Sequence, residues 1–434
     1  MVPDLAASST TARFRASPGL GYIDPGVMRR GLIGVGAVVL SVAVARAETL
    51  TLTAALARAH RDSPELAVAG ATLDAARGRL TQAGVFKNPV LTSGATRHRI
   101  PGAVNAEPHV SLDEEIEVGG QRGLRIGAAK HDVARVEFER ADHLRSVDAE
   151  VRRAFAGLVA AERRRELARE GARAAQHIAR AAVEHGIESD SDRVDADLSR
   201  LDAIKADSDA MAADTDALRA RVRLALVIGA SPDEPLSVAP PDDAPATAPP
   251  SEDGAVARAL AARPDLAAAR AERRRLDGEA DLTHRVGRIP NPTIRGYYSH
   301  ENGDEELVGG EIEVPLPLFD RQVGAEAELR GLAAAAAAEA SRLERQIPRD
   351  VHTALAHYQA AAVTWNRHRR ESLPTMASAR AALERTLHDG RTGIIEVLVQ
   401  QTRLRDLDGN VVAAWLDLRE AEAEVIETIG ESPW

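Results

Sequence analysis

A chain of 434 residues with no cysteine, 3% aromatic residues and a formal net charge of −11 has no disulfide, no thiolate metal site and no lipid-modified N-terminal cysteine, and its acidity argues against general nucleic-acid binding. Little aromatic volume, with much alanine and charge, fits long helices packed closely on small side chains better than a large globular core. In chain order the first feature is an export signal. Met28-Arg29-Arg30 is a charged start, Gly31 to Val44 an apolar run, and Ala45-Arg46-Ala47 an A-x-A cleavage site. The run is short for a membrane span, which needs about 20 residues; an uncleaved N-terminal anchor is the alternative. Residues 1–27 show no pattern, so translation is expected to start at Met28 and cleavage to follow Ala47. Segment 1–47 has five Arg against Asp4 and Asp24, net +3, which leaves −11 − 3 = −14 on the chain from Glu48. No later stretch is apolar enough for a transmembrane helix, so any membrane part must be a β-barrel.

The rest of the chain reads as one plan written twice, 48–230 and 252–434, joined by a Pro-, Ala- and Asp-rich linker at 231–251. Ser63-Pro64-Glu65-Leu66 recurs as Arg263-Pro264-Asp265-Leu266. Asn88-Pro89 recurs as Asn291-Pro292, and Glu115-Ile116-Glu117-Val118 as Glu311-Ile312-Glu313-Val314. Gly186 followed by Asp192 recurs as Gly390 followed by Glu396. Each half begins with a helix, from about Thr53 to Val85 in the first, capped by Thr51 or Thr53 and stopped by Asn88-Pro89. A weak strand is expected at Val90–His98, a turn-rich stretch at Arg99–Pro108, and a good strand ending at Val118. In that strand Val110, Leu112, Ile116 and Val118 alternate with Ser111, Asp113, Glu115 and Glu117. The second hairpin is expected at 293–316. Long helices should follow at 122–184 and 322–387, the latter kinked at Pro348 and Pro374. Turns at Gly186 and at Gly390 to Gly393 lead into return helices at 191–228 and 394–429. A 62-residue helix spans roughly 93 Å, close to two shorter helices end to end.

Strands of about ten residues suit membrane β-hairpins, but four of them cannot close a barrel, and open edges are not tolerated in lipid. Three copies of four strands would make 12, a size and parity typical of outer-membrane barrels. The expected fold is therefore mainly α with a small β part: a duplicated, long α-helical coiled-coil barrel, with four strands per chain contributing to a shared trimeric transmembrane β-barrel. Alternation would turn Glu115, Glu117, Glu311 and Glu313 to the lumen and Val and Ile to lipid. Tyr297 and Tyr298 fit either an interfacial girdle or packing against a neighbour.

Signal segment, duplicated halves, two hairpins and helices of about 60 residues together resemble the TolC family of outer-membrane efflux channels over nearly all of Glu48 to Gly430. Asn88-Pro89 and Asn291-Pro292 look like the family's entry to each first strand, and Pro315-Leu316-Pro317-Leu318-Phe319-Asp320-Arg321 like its exit from the second hairpin. Glu117-Val118-Gly119-Gly120-Gln121-Arg122-Gly123 is similar to the CzcC-like branch, which serves heavy-metal efflux. The resemblance implies a homotrimer in the outer membrane that docks on a periplasmic adaptor and an inner-membrane pump. It also implies a passive conduit for metal cations, with drug efflux or type I protein secretion as alternatives. The tips near Gly186, Gly390 and Gly393 would be periplasmic, and Asp192 and Glu396 would stand at the narrowest point of the closed tunnel, paired with Arg391 or Arg193. Val399 and Thr392 depart from the family's gate pattern, and a plain helix-dipole role for both acids stays open.

The sequence has no nucleophile constellation, phosphate loop or metal-ligand cluster. Its 13 histidines are scattered. No enzyme activity, cofactor or nucleic-acid partner is expected. A purely structural periplasmic coiled coil is the reading of another class, and the alternating strands argue against it.

Overall fold

The structure, a computed structural model, describes residues 49–100, 103–184, 189–242, 244–301, 305–388 and 394–430. The expected signal segment 1–47, with its start at Met28 and cleavage after Ala47, lies outside these residues, as do Gly186, Gly390, Arg391, Gly393 and Trp434. The first half runs α1 (Leu52–Asp62), α2 (Pro64–Ala83), β1 (Val90–Ile100), β2 (Ala103–Glu115), α3 (Gln121–Glu184) and α4 (Asp190–Val227). The second runs α5 (Glu252–Ala262), α6 (Pro264–Val286), β3 (Thr293–Glu301), β4 (Glu305–Glu313), α7 (Val323–Arg367), a π turn (His368–Ser372), α8 (Leu373–His388) and α9 (Ile394–Ile429). The order of elements is the same in both.

The single opening helix expected at Thr53–Val85 is in fact two. Thr51 caps α1, its side chain accepting from the Ala54 amide at 3.1 Å. Ser63 then turns extended, with ψ 124°, because Pro64 denies its predecessor the helical region; Pro64 in turn suits the first position of α2. Arg263 and Pro264 repeat the break with ψ 120°. The stretch Arg99–Pro108, expected as turns, is mostly strand: β1 and β2 pair continuously from Val90 with Asp113 to Ile100 with Ala103. Pro108 is tolerated there because β2 has a second neighbour only from His109 onward. The good strands stop short of expectation, at Glu115 and Glu313.

α3 is one unbroken helix of 64 residues, about 96 Å at 1.5 Å per residue. Its counterpart is interrupted. Pro348 lies inside α7, and ahead of Pro374 the helix widens, the Leu373 amide reaching back to the His368 carbonyl. One extra residue in the turn is a common way to absorb a ring that cannot donate to the ladder.

The helices pack mainly on alanine. Ala149, Ala154, Ala160, Ala172 and Ala175 of α3 are buried, which lets backbones approach closely. The larger side chains gather where α5, α7 and α9 meet, around Tyr358, Trp365, Trp415 and Leu418. The segment expected as a linker is docked there as a strap. Leu50 bridges in parallel to Val238, the Tyr358 hydroxyl donates to the Thr247 carbonyl at 2.7 Å, and the Trp365 indole donates to the Ala244 carbonyl at 2.8 Å. Burial pushes the Tyr358 phenol up to about 12. Both buried rings thus satisfy their own polar atoms on strap carbonyls.

Candidate functional site

The four strands form one antiparallel sheet in the order β1-β2-β3-β4. The register sorts side chains onto two faces. Asp113 opposes Arg295, which opposes Glu311; Thr293 opposes Glu313. These odd-numbered residues form a charged face. Arg295 pairs with Asp113 and reaches Glu311 at 3.3 Å and Glu313 at 3.9 Å. Glu115 pairs with Lys87 at 2.6 Å and accepts from Asn291 at 2.8 Å. On the other face Leu91 opposes Leu112, Ile294 opposes Ile312, and Tyr298 opposes Val308. All six are exposed, Val308 at 82% and Leu91 at 70%. An apolar sheet face of this extent with nothing on it marks an interaction surface, not a solvated one. Tyr297 and Tyr298 fall on opposite faces.

Three of the four expected lumen acids, Glu115, Glu311 and Glu313, share the charged face. Glu117 lies two residues past β2 and pairs with Arg125 of α3 at 2.5 Å, while the Ile116 amide still donates to the Pro292 carbonyl at 2.9 Å. Arg295, the cation at the centre of the acids, was not singled out from the sequence. Its parity within β3 was readable, but only the β2–β3 register puts it beside Asp113.

The run Val118–Gly123 builds the junction between sheet and helices. Gly120 has φ +71°, a left-handed backbone that favours glycine. The buried Gln121 side chain accepts from the Gly119 amide at 2.8 Å and donates to the Ile289 carbonyl at 3.0 Å. Arg122 donates to the Gly84 carbonyl at 2.8 Å and lies over the Phe86 ring at 4.4 Å. Arg125 donates to the carbonyls of Ala83 and Val85. These residues close the helix-to-strand and strand-to-helix turns onto each other. That architectural role accounts for the motif without any contact to a cargo.

α4 has two stripes. Ala196, Ser199, Ala203, Ala206, Ala217 and Leu224 are buried, and the alanines Ala203 and Ala206 pack on Ala172 and Ala175 of α3. Offset from them, Val194, Leu198, Leu201, Ile204, Met211, Leu218 and Val222 are exposed. They are spaced by threes and fours or by sevens, a heptad seam. A helix with one seam filled and a second one open is built to lie between two neighbours.

At the tip end, Asp192 is the third residue of α4. Its carboxylate accepts from the Ser189 amide at 2.8 Å while the Ser189 hydroxyl accepts from the Asp192 amide at 3.2 Å, a reciprocal capping box. Arg193 and Glu396 are exposed, and Val397, next to Glu396, packs with Ile178 and Leu383. Among the described residues no group of three or more His, Asp or Glu is placed to hold a metal ion, and no described helix is long and apolar enough to cross a membrane.

No protein-family profile matches the chain, and no curated protein matches it in sequence. Solved structures do match in shape. The outer-membrane channel OprN aligns with a TM-score of 0.69 at 18% identity, over 87% of this chain and 89% of its own. CusC, studied for its folding and transmembrane channel formation, aligns with a TM-score of 0.71 at 15% identity, over 88% and 92%. The outer-membrane protein VceC of Vibrio cholerae aligns with a TM-score of 0.68 at 18% identity, over 88% and 96%. The fold is that of the TolC-type outer-membrane channels. Within the TolC-type fold, the charged sheet face, the apolar sheet face and the open seam of α4 are the surfaces that function has to explain.

Proposed function

We propose that this chain is one subunit of a passive exit duct in the outer membrane, through which a tripartite efflux system discharges its cargo. The observation that carries the reading is the sheet: four strands with two free edges, an exposed apolar face, and a face holding Asp113, Glu115, Arg295, Glu311 and Glu313. In lipid the free edges must be closed, and three copies of four strands give a 12-stranded barrel with the charged face around water. The open seam of α4 gives each copy a helix to pack on its neighbour. A homotrimer exported with its signal removed, docked on a periplasmic adaptor and an inner-membrane pump, follows from the same family resemblance.

The test is direct. Val308 is 82% exposed, so Val308→Arg would be close to neutral in a water-soluble scaffold. On the lipid face of a barrel it should cost about 2–4 kcal/mol near the bilayer midplane and reduce trimer recovery from outer membranes. Normal stability of that variant, or a soluble monomer from native mass measurement, would sink the channel reading in favour of a periplasmic coiled coil.

The favoured cargo is heavy-metal cations, supported by the similarity of Glu117 to Gly123 to the CzcC-like branch. A deletion strain should lose tolerance to zinc, cobalt or cadmium; lost drug tolerance with unchanged metal tolerance would reassign the cargo. Asp192 and Glu396 are proposed as rings of acid at the periplasmic tip, with Arg193 and Arg391 as their counter-charges. The capping box supports the helix-end alternative for Asp192. Asp192→Asn with Glu396→Gln should lower cation selectivity in single-channel recordings, and unchanged selectivity would leave only capping.

A further inference from the structure

The outward face of the sheet changes chemistry with height. Through the level where Tyr298 opposes Val308, it is apolar except for Ser93, opposite Val110, and Glu114, opposite Ile294 at the lower end. Beyond that level the two hairpins differ. β1 and β2 have 11 and 13 residues, β3 and β4 have 9 each, and β2 last pairs with β3 at His109 and Ser299. The first hairpin therefore continues alone. In that extension Arg97 opposes Ala106 and Arg99 opposes Val104. Both arginines share the parity of Leu91, so they stand on the apolar face, two residues or about 7 Å apart. Both are exposed. Neither makes an ion pair or hydrogen bond to a described residue. Glu107 alternates to the other face, and within one copy the outward acid Glu306, opposite His300 on β4, is separated from β1 by two strands; in the closed barrel β1 borders β4 of the next copy.

Two guanidiniums with no partner among the described residues of their own chain, on a lipid-facing strand, are most stable at the level of the headgroups. There the complementary group is phosphate, which guanidinium binds with paired, charge-assisted hydrogen bonds. We propose that Arg97 and Arg99 form a binding point for the phosphate of an anionic lipid in the outer leaflet, one point per subunit. The proposal rests on the membrane reading above. It assigns to the longer first hairpin a task that the shorter second one does not share.

The probe is lipid A, with its phosphates or enzymatically dephosphorylated, added to the detergent-purified assembly and counted by native mass spectrometry. Wild type should bind phosphorylated lipid A in preference to the dephosphorylated form. Arg97→Gln with Arg99→Gln should weaken that binding about thirtyfold, since each basic side chain near an anionic surface contributes roughly fivefold. Arg97→Lys with Arg99→Lys should keep most of it, and Arg273→Gln with Arg274→Gln on α6 should change nothing. Equal binding of the two lipids by wild type overturns the proposal even if the glutamine variant does not assemble. A glutamine variant that assembles and binds as wild type overturns it as well. A wild-type chain that forms no membrane assembly at all would instead remove the membrane reading.

Discussion

The two halves place the same elements in the same order and then use them differently. The outbound helix of the first half, α3, runs 64 residues without interruption and is buried largely through alanine. Its counterpart in the second half contains Pro348, a π turn and Pro374, and it carries Tyr358 and Trp365, which hold the strap. The first half makes an unbroken strut, and the second carries the aromatic anchors of the strap. A duplicated plan thus tolerates divergence in its long helices.

The corners that follow the return helices allow the sharpest comparison. Gly229 ends α4 and Gly430 ends α9, with φ +69° and +89°. A Cβ on Gly229 would lie 2.1 Å from the Asp62 carbonyl oxygen, whereas one on Gly430 would come no closer than 3.7 Å to Ala262 and Arg263. Gly430→Ala should therefore cost only the left-handed penalty, about 1–2 kcal/mol. Gly229→Ala must also move backbone and should reach about 5 kcal/mol, among the largest single-residue effects. Denaturant unfolding followed by helical circular dichroism checks both, and equal losses would show that the two corners are not as different as they look.

Next in size is the strap. Trp365→Ala should cost about 3–5 kcal/mol from lost packing, and it should expose the strap around Ala244 to proteolysis. The comparison residue is Leu73 of α2 in the first half, buried with Ala76 and Val136 in a cluster that contains no strap residue. Leu73→Ala should lose about 2–5 kcal/mol without new cleavage at the strap. Strap cleavage in both variants would mean that the anchoring is shared between the halves.

Third is the corner cation that the second half has gained. Arg263 stands where the first half has Ser63; it is 8% exposed and pairs with Asp265 at 2.6 Å and Asp350 at 3.2 Å. Arg263→Ser should cost about 2–3 kcal/mol, somewhat below the loss for a fully buried pair, because the acids keep part of their hydration. Adding Asp350→Asn should recover some of that loss, and a double variant no better than the single one would argue against charge as the cause.

The smallest effect concerns His357, which ties α7 to α9 through Glu424 at 2.8 Å and Asp417 at 3.2 Å. The hydrogen bond to Glu424 raises its imidazole above the ordinary 6.5, against partial burial. A raised folded value means the stabilisation is fully present below about pH 6.5 and fades as pH climbs through the folded value. The pair is well exposed, so the stabilisation is at most about 1 kcal/mol. The stability gap between wild type and His357→Gln should accordingly shrink from pH 6 to pH 9; a gap that widens would reverse the assignment.

Much of the fold was legible because its signals are local. Period-two alternation marked the hairpins, long proline-free stretches marked the helices, and recurring Pro64 and Pro264 landmarks marked the duplication. The same landmarks carry one more signal than the expected single helix from Thr53 to Val85 used: Pro64 ends the helix before it and opens the next. The candidate site was legible only in part. Glu115, Glu311 and Glu313 share a face by parity alone, whereas the pairing of Glu117 with Arg125, just past the end of β2, depends on how α3 returns from the sheet.

What the sequence determined by itself is everything set by short-range periodicity: which segments are helical, which alternate, and which strand face is apolar. Tertiary structure alone decided the rest. The seat of Arg295 among the acids depends on the β2–β3 register, between strands some 180 residues apart in the chain. The strap is held by indole and phenol donors that only packing brings to its carbonyls. The open seam on α4 is visible as a heptad in the sequence, but that it is open, while the alanine stripe beside it is filled by α3, follows from which side the partner helix occupies. Burial and register are properties of pairs of distant segments, and a single sequence specifies them only through the energy of the whole fold.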